Sequence, residues 1–452
     1  MRVLVPTGML GGGFPNSTIA RGIELGADVI AIDGGSTDSG PHYLGTATAK
    51  TARSAVAGDV RAVLAPAAAA GIPVVVGSCG TSGTDAGVDW VHDIAAEVTA
   101  VAGLQRRVAR LYSEQDTEHL ETLRAAGRIH PLEPAGPLTA ETLRSCSHIV
   151  ALMGHEPIAA VLADGVDLVL AGRATDTALT AALPMLRGLP SGPIWHAAKV
   201  AECGGLCTTS PRTGGVLVTI DATGFTIEPL DPKAACTPHT VAAHMMYENV
   251  DPFRMREPAG TLDTSAATYT AVDDRIVRVE GSEFEHAAQY TMKLEGSAAV
   301  GYQTIIISGM RNPRVLARID EWCDGVLDYL RHAISKTVGL EPGQYDMQIL
   351  RYGHDGVLGA AEPDRREPPR EVGIVFVATA RDQATATQLA KVANPALLHA
   401  PLAGEEAMPS YAFLGSPAEI ERGAVHEFVL QHAVDIDAAD ELVRTVVSEI
   451  GR

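Results

Sequence analysis

Short runs of β-branched and aliphatic residues recur through the first two hundred positions. Each is followed by a loop rich in Gly, Ser, Thr and Asp and then by an Ala-rich stretch of helical period. Strands are predicted at residues 2–5, 29–32, 74–77, 108–111, 148–152 and 167–171. These runs are apolar on both faces, the pattern of strands covered on each side in a mostly parallel sheet joined by right-handed crossovers. The reading is α/β, with an N-terminal doubly wound, mostly parallel sheet and a closed barrel as the alternative. From residue 184 to 214 the composition shifts toward Pro, Gly, Ser and Thr, and period-two segments follow at 216–220 and 275–279. Between them, Pro238 is placed to open a short helix through Tyr247. A strand at 302–308, a helix at 313–334 and strands at 346–352 and 371–378 come next, then a helix at 383–392 and a strand at 425–434. That order is the split βαβ of a ferredoxin-like sandwich, with 363–369 as its exposed connection and 438–450 as a terminal helix. The expected division is an α/β ligand-binding domain at 1–208, a β-rich connecting region at 209–300 and a ferredoxin-like α+β domain at 301–452.

Composition narrows the function classes. The 452 residues are 46% hydrophobic and 20% charged, which suits two or three globular domains and excludes long disorder, collagen-like repeats and coiled coil. Thirty-five Lys and Arg against fifty-five Asp and Glu leave a net charge of -20. Such a charge repels phosphate backbones and anionic lipid, so neither nucleic acid nor a membrane surface is an expected partner. Six scattered cysteines do not make a disulfide scaffold and suggest a reduced, cytoplasmic setting. Met1 runs directly into the first strand with no secretory pattern, and the most apolar window, 60–77, is broken by Pro66, Gly71 and Pro73. A soluble homo-oligomer is expected.

Ligands of open α/β sheets bind beyond the carboxyl ends of the strands, so the loops there hold the candidate chemistry. The first, with Gly12 and Gly13 in a run of glycines, is either an anion cradle of backbone N–H groups or a tight strand-to-helix turn. It is neither GxGxxG nor a Walker loop. The second carries Asp33, Ser36 and Asp38. Asp33 is a candidate general base, and with Asp38 a possible holder of a divalent cation; the alternative is a turn with a helix cap. The third carries Cys79, Gly80 and Ser82 ahead of a helix at 85–101, whose free N–H groups suit an anion. Cys79 is either an activated nucleophile or a packed thiol. Asp85, Asp89 and His92 share a face of that helix, as metal ligands or as dipole compensation. His155 offers an acid or base near neutral pH, or a structural histidine. Arg173, beside Asp176, is shaped to clamp a carboxylate or phosphate, or else braces its loop through that aspartate. Cys203, Cys207, Cys236, His239 and His244 invite a zinc reading, but His239 and His244 are five apart, about 140° around a helix, and would not face one ion.

These segments together resemble the acyclic terpene utilisation (AtuA) family of catabolic proteins, over nearly the whole chain. The resemblance rests on Asp33-Gly34-Gly35-Ser36 continuing through Gly40-Pro41-His42-Tyr43-Leu44-Gly45, the loop 78–83, Ala171-Gly172-Arg173-Ala174-Thr175-Asp176, Leu230-Asp231-Pro232-Lys233, and residues 411–428. It implies an α/β N-terminal and a ferredoxin-like C-terminal region. It also implies a setting in which branched terpenes are degraded as acyl-CoA thioesters beside carboxylases, hydratases and dehydrogenases. An anionic small-molecule substrate is therefore expected, an acyl-CoA or small carboxylate. The leading expectation is a hydratase or dehydratase, with Asp33 or His155 moving the proton and Arg173 and Asp176 completing the catalytic set. Gly12, Gly13, Ser36, Asp38, Cys79, Gly80 and Ser82 would bind substrate. A thioesterase using Cys79 and a non-catalytic acyl-CoA-binding subunit are the alternatives.

Overall fold

The apolar runs of the first two hundred residues form strands whose alternate side chains enter two different cores. Val3, Val5, Val29, Ala31, Val75, Val169 and Ala171 pack on one face. Leu4, Ile30, Ile32, Val74, Val76, Leu168 and Leu170 pack on the other. A strand buried on both faces needs no polar alternation, which is why these runs read as continuous apolar segments. The computed structural model describes residues 1–212, 214–363, 368–404 and 411–451. It is a mixed α/β structure with about 35% helix and 29% strand. Among the described residues no helix is long and apolar enough to cross a membrane.

The chain divides into two units, Met1–Ala298 with Phe428–Arg452, and Ala299–Glu427. In the first, a ten-stranded sheet has a parallel centre running Arg2–Val5, Val29–Asp33, Val74–Gly77, Leu168–Ala171, Arg106–Tyr112. Antiparallel strands extend it on both sides. Val216–Ile220, Gly224–Pro229, Val277–Glu280 and Thr268–Ala271 continue from the Arg2 edge, with Val3 opposite Val218. These four strands complete the sheet because the Arg2 strand has an edge that another strand must cover, while Arg254–Glu257, Gly260–Asp263 and Glu283–His286 form a separate three-stranded sheet. On the far edge Arg444–Ile450 pairs with Arg106–Tyr112, Val447 opposite Ala109. This corrects the terminal helix expected at 438–450. Val446 and Ile450 share a side in a helix and in a strand alike, and the β-branched Thr445-Val446-Val447 fit a pleated edge better than a helix.

Helices Asn16–Glu24, Arg53–Ala70 and Asp85–Ala102 bury Ile19, Val56, Val63, Val88 and Ile94 in one core. Asp176–Leu186 and Ser191–Ala201 bury Ala178, Leu179, Ile194 and Ala198 in the other. The neighbouring strands Val74–Gly77 and Leu168–Ala171 therefore send their following chains to opposite faces. Open α/β sheets hold their ligand crevice at such a reversal.

In the second unit Val372–Ala380 lies antiparallel between Tyr345–Tyr352 and residues 302–310, with helices Ile319–Thr337 and Gln383–His399 joining the strands. The long strands Thr291–Met310 and Glu419–Asp435 are divided between the units. Residues 364–367, most of the connection expected at 363–369, lie outside the described residues.

Candidate functional site

At this crevice position in the first unit, three loops touch backbone to backbone. A Cβ on Gly35 (φ +136°) would lie 2.7 Å from Thr81 Cα, and one on Gly83 (φ +67°) would lie 2.2 Å from Arg173 N. Ser78 and Thr81 take positive φ values of 42° and 82° without being glycine. A non-glycine residue there costs roughly 1–3 kcal/mol, so the surrounding packing holds them. The glycines thus serve close loop packing.

Asp33 ends its strand at the centre of this arrangement, 7% exposed, and its Oδ1 is buried without a hydrogen-bond partner. Burial, then the Asp176 carboxylate, push its carboxyl well above the usual range, against the pull of Arg173 and the Gly35 N–H. Burial also raises Asp176, opposed by Arg173 and reinforced by Asp38. Arg173 Nε donates to Glu295 Oε2 (3.2 Å). Its Nη1 donates to Ser78 Oγ (3.0 Å), Ala174 O (3.0 Å) and Asp176 Oδ1 (3.5 Å). Burial opposes ionisation of Glu295, yet Arg173 and Lys293 together hold it below the usual range. Arg173 is therefore a brace with matched charge, and much of its donor fork is committed within the protein.

A further set of buried charges comes from segments beyond the strand-end loops. Lys199, on helix Ser191–Ala201, places Nζ 2.6 Å from Glu202 Oε1. Burial pushes Glu202 up to about 8 despite Lys199, with Asp176 adding to the rise. Glu257 accepts from the hydroxyls of Thr175 and Thr177 and is pushed up to about 7, chiefly by burial. Donor atoms of Glu202, Cys203 and His244 lie within 4.8 Å of one another. Burial, then Lys199, press His244 down to about 4. Asp38, Tyr247 and Glu248 form the exposed rim. The signal for this set was a single lysine in a mostly apolar helix, three residues ahead of a glutamate.

Among the expected residues, Asp33, Arg173 and Asp176 come together, with Asp38 close enough to act on Asp176. Ser36 Oγ accepts from Asp38 N (3.3 Å), capping a short turn. Cys79 is fully buried, its thiol donating to Val76 O at 3.7 Å and pushed up by burial and by Asp33. Gly80 packs against Gly87, and Ser82 Oγ donates to Tyr43 O (3.3 Å). The glycine-rich loop does hold a carboxylate, but one of the chain's own. Asp59 Oδ2 accepts from Gly11 N (2.7 Å) and Gly13 N (3.2 Å), while Gly12 N donates to Met9 O (3.0 Å). His155 belongs to a different group, edge-on to Trp195 with ring centroids 5.4 Å apart and Nδ1 3.4 Å from Glu156 Oε2. Burial lowers its pKa. Asp89 is engaged by Arg110 and Tyr112. Among the described residues, Asp33 and Asp38 form no metal-sized cluster with a third donor, nor do Cys236 and His239.

The family model described as acyclic terpene utilisation family protein AtuA matches residues 46–187 and 197–429, which include the loops at 78–83 and 171–176. No curated protein and no solved structure matches the chain.

Proposed function

We propose, from the premise that the chain belongs to the acyclic terpene utilisation (AtuA) family, that it is an acid–base enzyme. It would add or remove water, or otherwise move a proton next to a carbonyl, on a branched acyl-CoA or small hydroxy-carboxylate. One observation carries this reading: Asp33 is buried at the crevice with an unpartnered carboxylate oxygen and a raised pKa. A raised pKa makes the ionised form a stronger base, and exclusion of water strengthens its interaction with an incoming C–H acid.

In this reading Asp33 takes the proton from the carbon beside the carbonyl. Arg173, near enough to Asp33 to act on its carboxyl, lends part of its charge to the enolate oxygen, and half-buried Asp176 gives a proton to the departing hydroxyl, which leaves as water. Asp33 is preferred over His155 as the base because His155 lies in the separate Trp195 group. Thioester hydrolysis through Cys79 is disfavoured, because a fully buried thiol with a raised pKa supplies little thiolate. The same reading takes the first unit as a doubly wound sheet, supported by helices on both faces of parallel strands. It takes the second unit as a ferredoxin-like sandwich, supported by its strand–helix–strand–strand–helix–strand order. The net charge of -20 supports a small-molecule ligand over nucleic acid.

The test is incubation in deuterated water with a panel of branched acyl-CoAs and hydroxy-diacids, with and without chelator, followed by mass. Deuterium uptake or a gain or loss of water is the expected result, reduced by at least about 100-fold in Asp33→Asn. Release of CoA would replace this reading with a thioesterase. No change across the panel would replace it with a binding subunit.

A further inference from the structure

Helix Ser191–Ala201 ends in a turn that presents Glu202 and then Cys203, while His244 opens a short 3-10 turn after helix Pro238–Ala243. Two segments some forty residues apart in sequence thus bring a carboxylate, a thiol and an imidazole within 4.8 Å of one another. Among the described residues no hydrogen bond joins any two of the three. His244 is 5% exposed, and its Nε2 is buried with no hydrogen-bond partner. A buried polar atom without a partner costs about 1–3 kcal/mol, so such an atom calls for an explanation. One oxygen of Glu202 takes the Lys199 ammonium, leaving Oε2 for another partner.

The backbone holds these groups in place. A Cβ on Gly8 would come within 3.0 Å of the Cys203 backbone, and Gly204 (φ +58°) packs as closely against Thr7. The His244 ring stacks on Tyr247, centroids 5.3 Å apart and planes 15° from parallel. Asp176 and Glu248 are near enough to Cys203 to add negative potential around it.

We propose that Glu202, Cys203 and His244 bind one divalent transition-metal ion of the zinc type. One sulfur, one imidazole nitrogen and one carboxylate oxygen suit a borderline-soft ion, whereas calcium and magnesium select oxygen ligands throughout. Bond lengths of about 2.0–2.3 Å put tetrahedral ligands roughly 3.3–3.8 Å apart, so the site closes on an ion with side-chain shifts of about 1 Å. Three protein ligands leave a fourth position for water or a ligand atom. Spacing along the sequence argued against zinc, because His239 and His244 would not face one ion, but in space His244 is met by Glu202 and Cys203 instead. The site stands independently of the acid–base reading, since its test measures binding alone.

The full chain, stripped with chelator and dialysed, is titrated with cobalt(II) and then with zinc(II). The expected result is one equivalent of cobalt bound with a thiolate-to-cobalt charge-transfer band and the visible bands of four-coordinate cobalt, all displaced by zinc. Cys203→Ser and His244→Gln should each weaken binding on the order of 100-fold or more, since even loss of an outer-shell partner costs 10–100-fold. Cys146→Ser, a half-buried thiol elsewhere, should leave the titration unchanged. If His244→Gln does not fold by circular dichroism, Cys203→Ser decides alone, because serine keeps the shape of a half-buried side chain. No stoichiometric binding at micromolar cobalt, or a charge-transfer band that survives Cys203→Ser, would overturn the proposal.

Discussion

At the scale of single residues, the first unit concentrates carboxyl groups whose burial outweighs their cationic partners. Glu257 is the simplest to isolate, because its ligands are two threonine hydroxyls and not a charge. Its folded-state value of about 7 lies above the ordinary 4.5. Between those values the native state keeps a proton that the unfolded chain has released, so stability falls as pH rises from about 4.5 to about 7 and stays lower above that. Glu257→Gln, whose amide can accept from one threonine and donate to the other, should flatten this slope in thermal melts across that range. The effect at pH 8 should be on the order of 3 kcal/mol. An unchanged slope would place the proton on another group. Cys79 tests the opposite case, a residue with reactive chemistry in a position that silences it. Cys79→Ala should retain deuterium exchange, measured on the substrate identified by the panel. Residue type alone could not separate these roles, because burial and neighbours set the pKa and both are properties of the packed chain.

At the scale of elements, the glycine-rich loops do different work: Gly11 and Gly13 hold the Asp59 carboxylate, while Gly35 and Gly83 let loops pack backbone to backbone. Gly83→Ala would drive a methyl group to 2.2 Å from the Arg173 backbone at a φ of +67°. It should cost at least about 3 kcal/mol in urea unfolding. Gly13, at φ +77° with nothing within 4 Å of its added Cβ, should lose only about 1 kcal/mol on the same change. Similar losses at both positions would contradict the packing account. Much of the element pattern was legible from periodicity: the central strands, the helix beginning at Asp85, and the strand–helix–strand–strand–helix–strand order of the second unit. Pro238 opened its helix as expected, with Thr237 and Thr240 forming a reciprocal cap. Residues 444–450 were not legible, since their inward-facing positions, half-buried Val446 and buried Ile450, are four apart and satisfy both periods. The free edge of the Arg106–Tyr112 strand settles the matter by supplying hydrogen-bond partners.

At the scale of the whole molecule, the first unit is closed by residues 428–451, which lie more than a hundred positions beyond the rest of it. His432–Val434 pair with Ile129–Pro131, and Arg444–Ile450 covers the sheet edge. Leu430, Val434, Ile436 and Leu442 enter the same core as Val3 and Val169. A chain ending at residue 427 should therefore lose the cooperative unfolding transition of the first unit, measured by calorimetry. A truncated chain that melts like the full one would show this closure to be dispensable. By itself the sequence determined the α/β class, strands buried on both faces, and the strand-end loops that carry Asp33, Arg173 and Asp176. Those follow from local periodicity and from where open sheets leave space. Only the tertiary structure decided that Asp59 occupies the glycine-rich loop, that Arg173 is braced by Glu295, that His155 stands apart, and that Lys199, Glu202, Cys203 and His244 gather beside the crevice. Apart from the local Lys199–Glu202 pair, these depend on contacts between residues about forty or more positions apart, and a contact at that separation leaves no period or spacing in the chain by which it could be read.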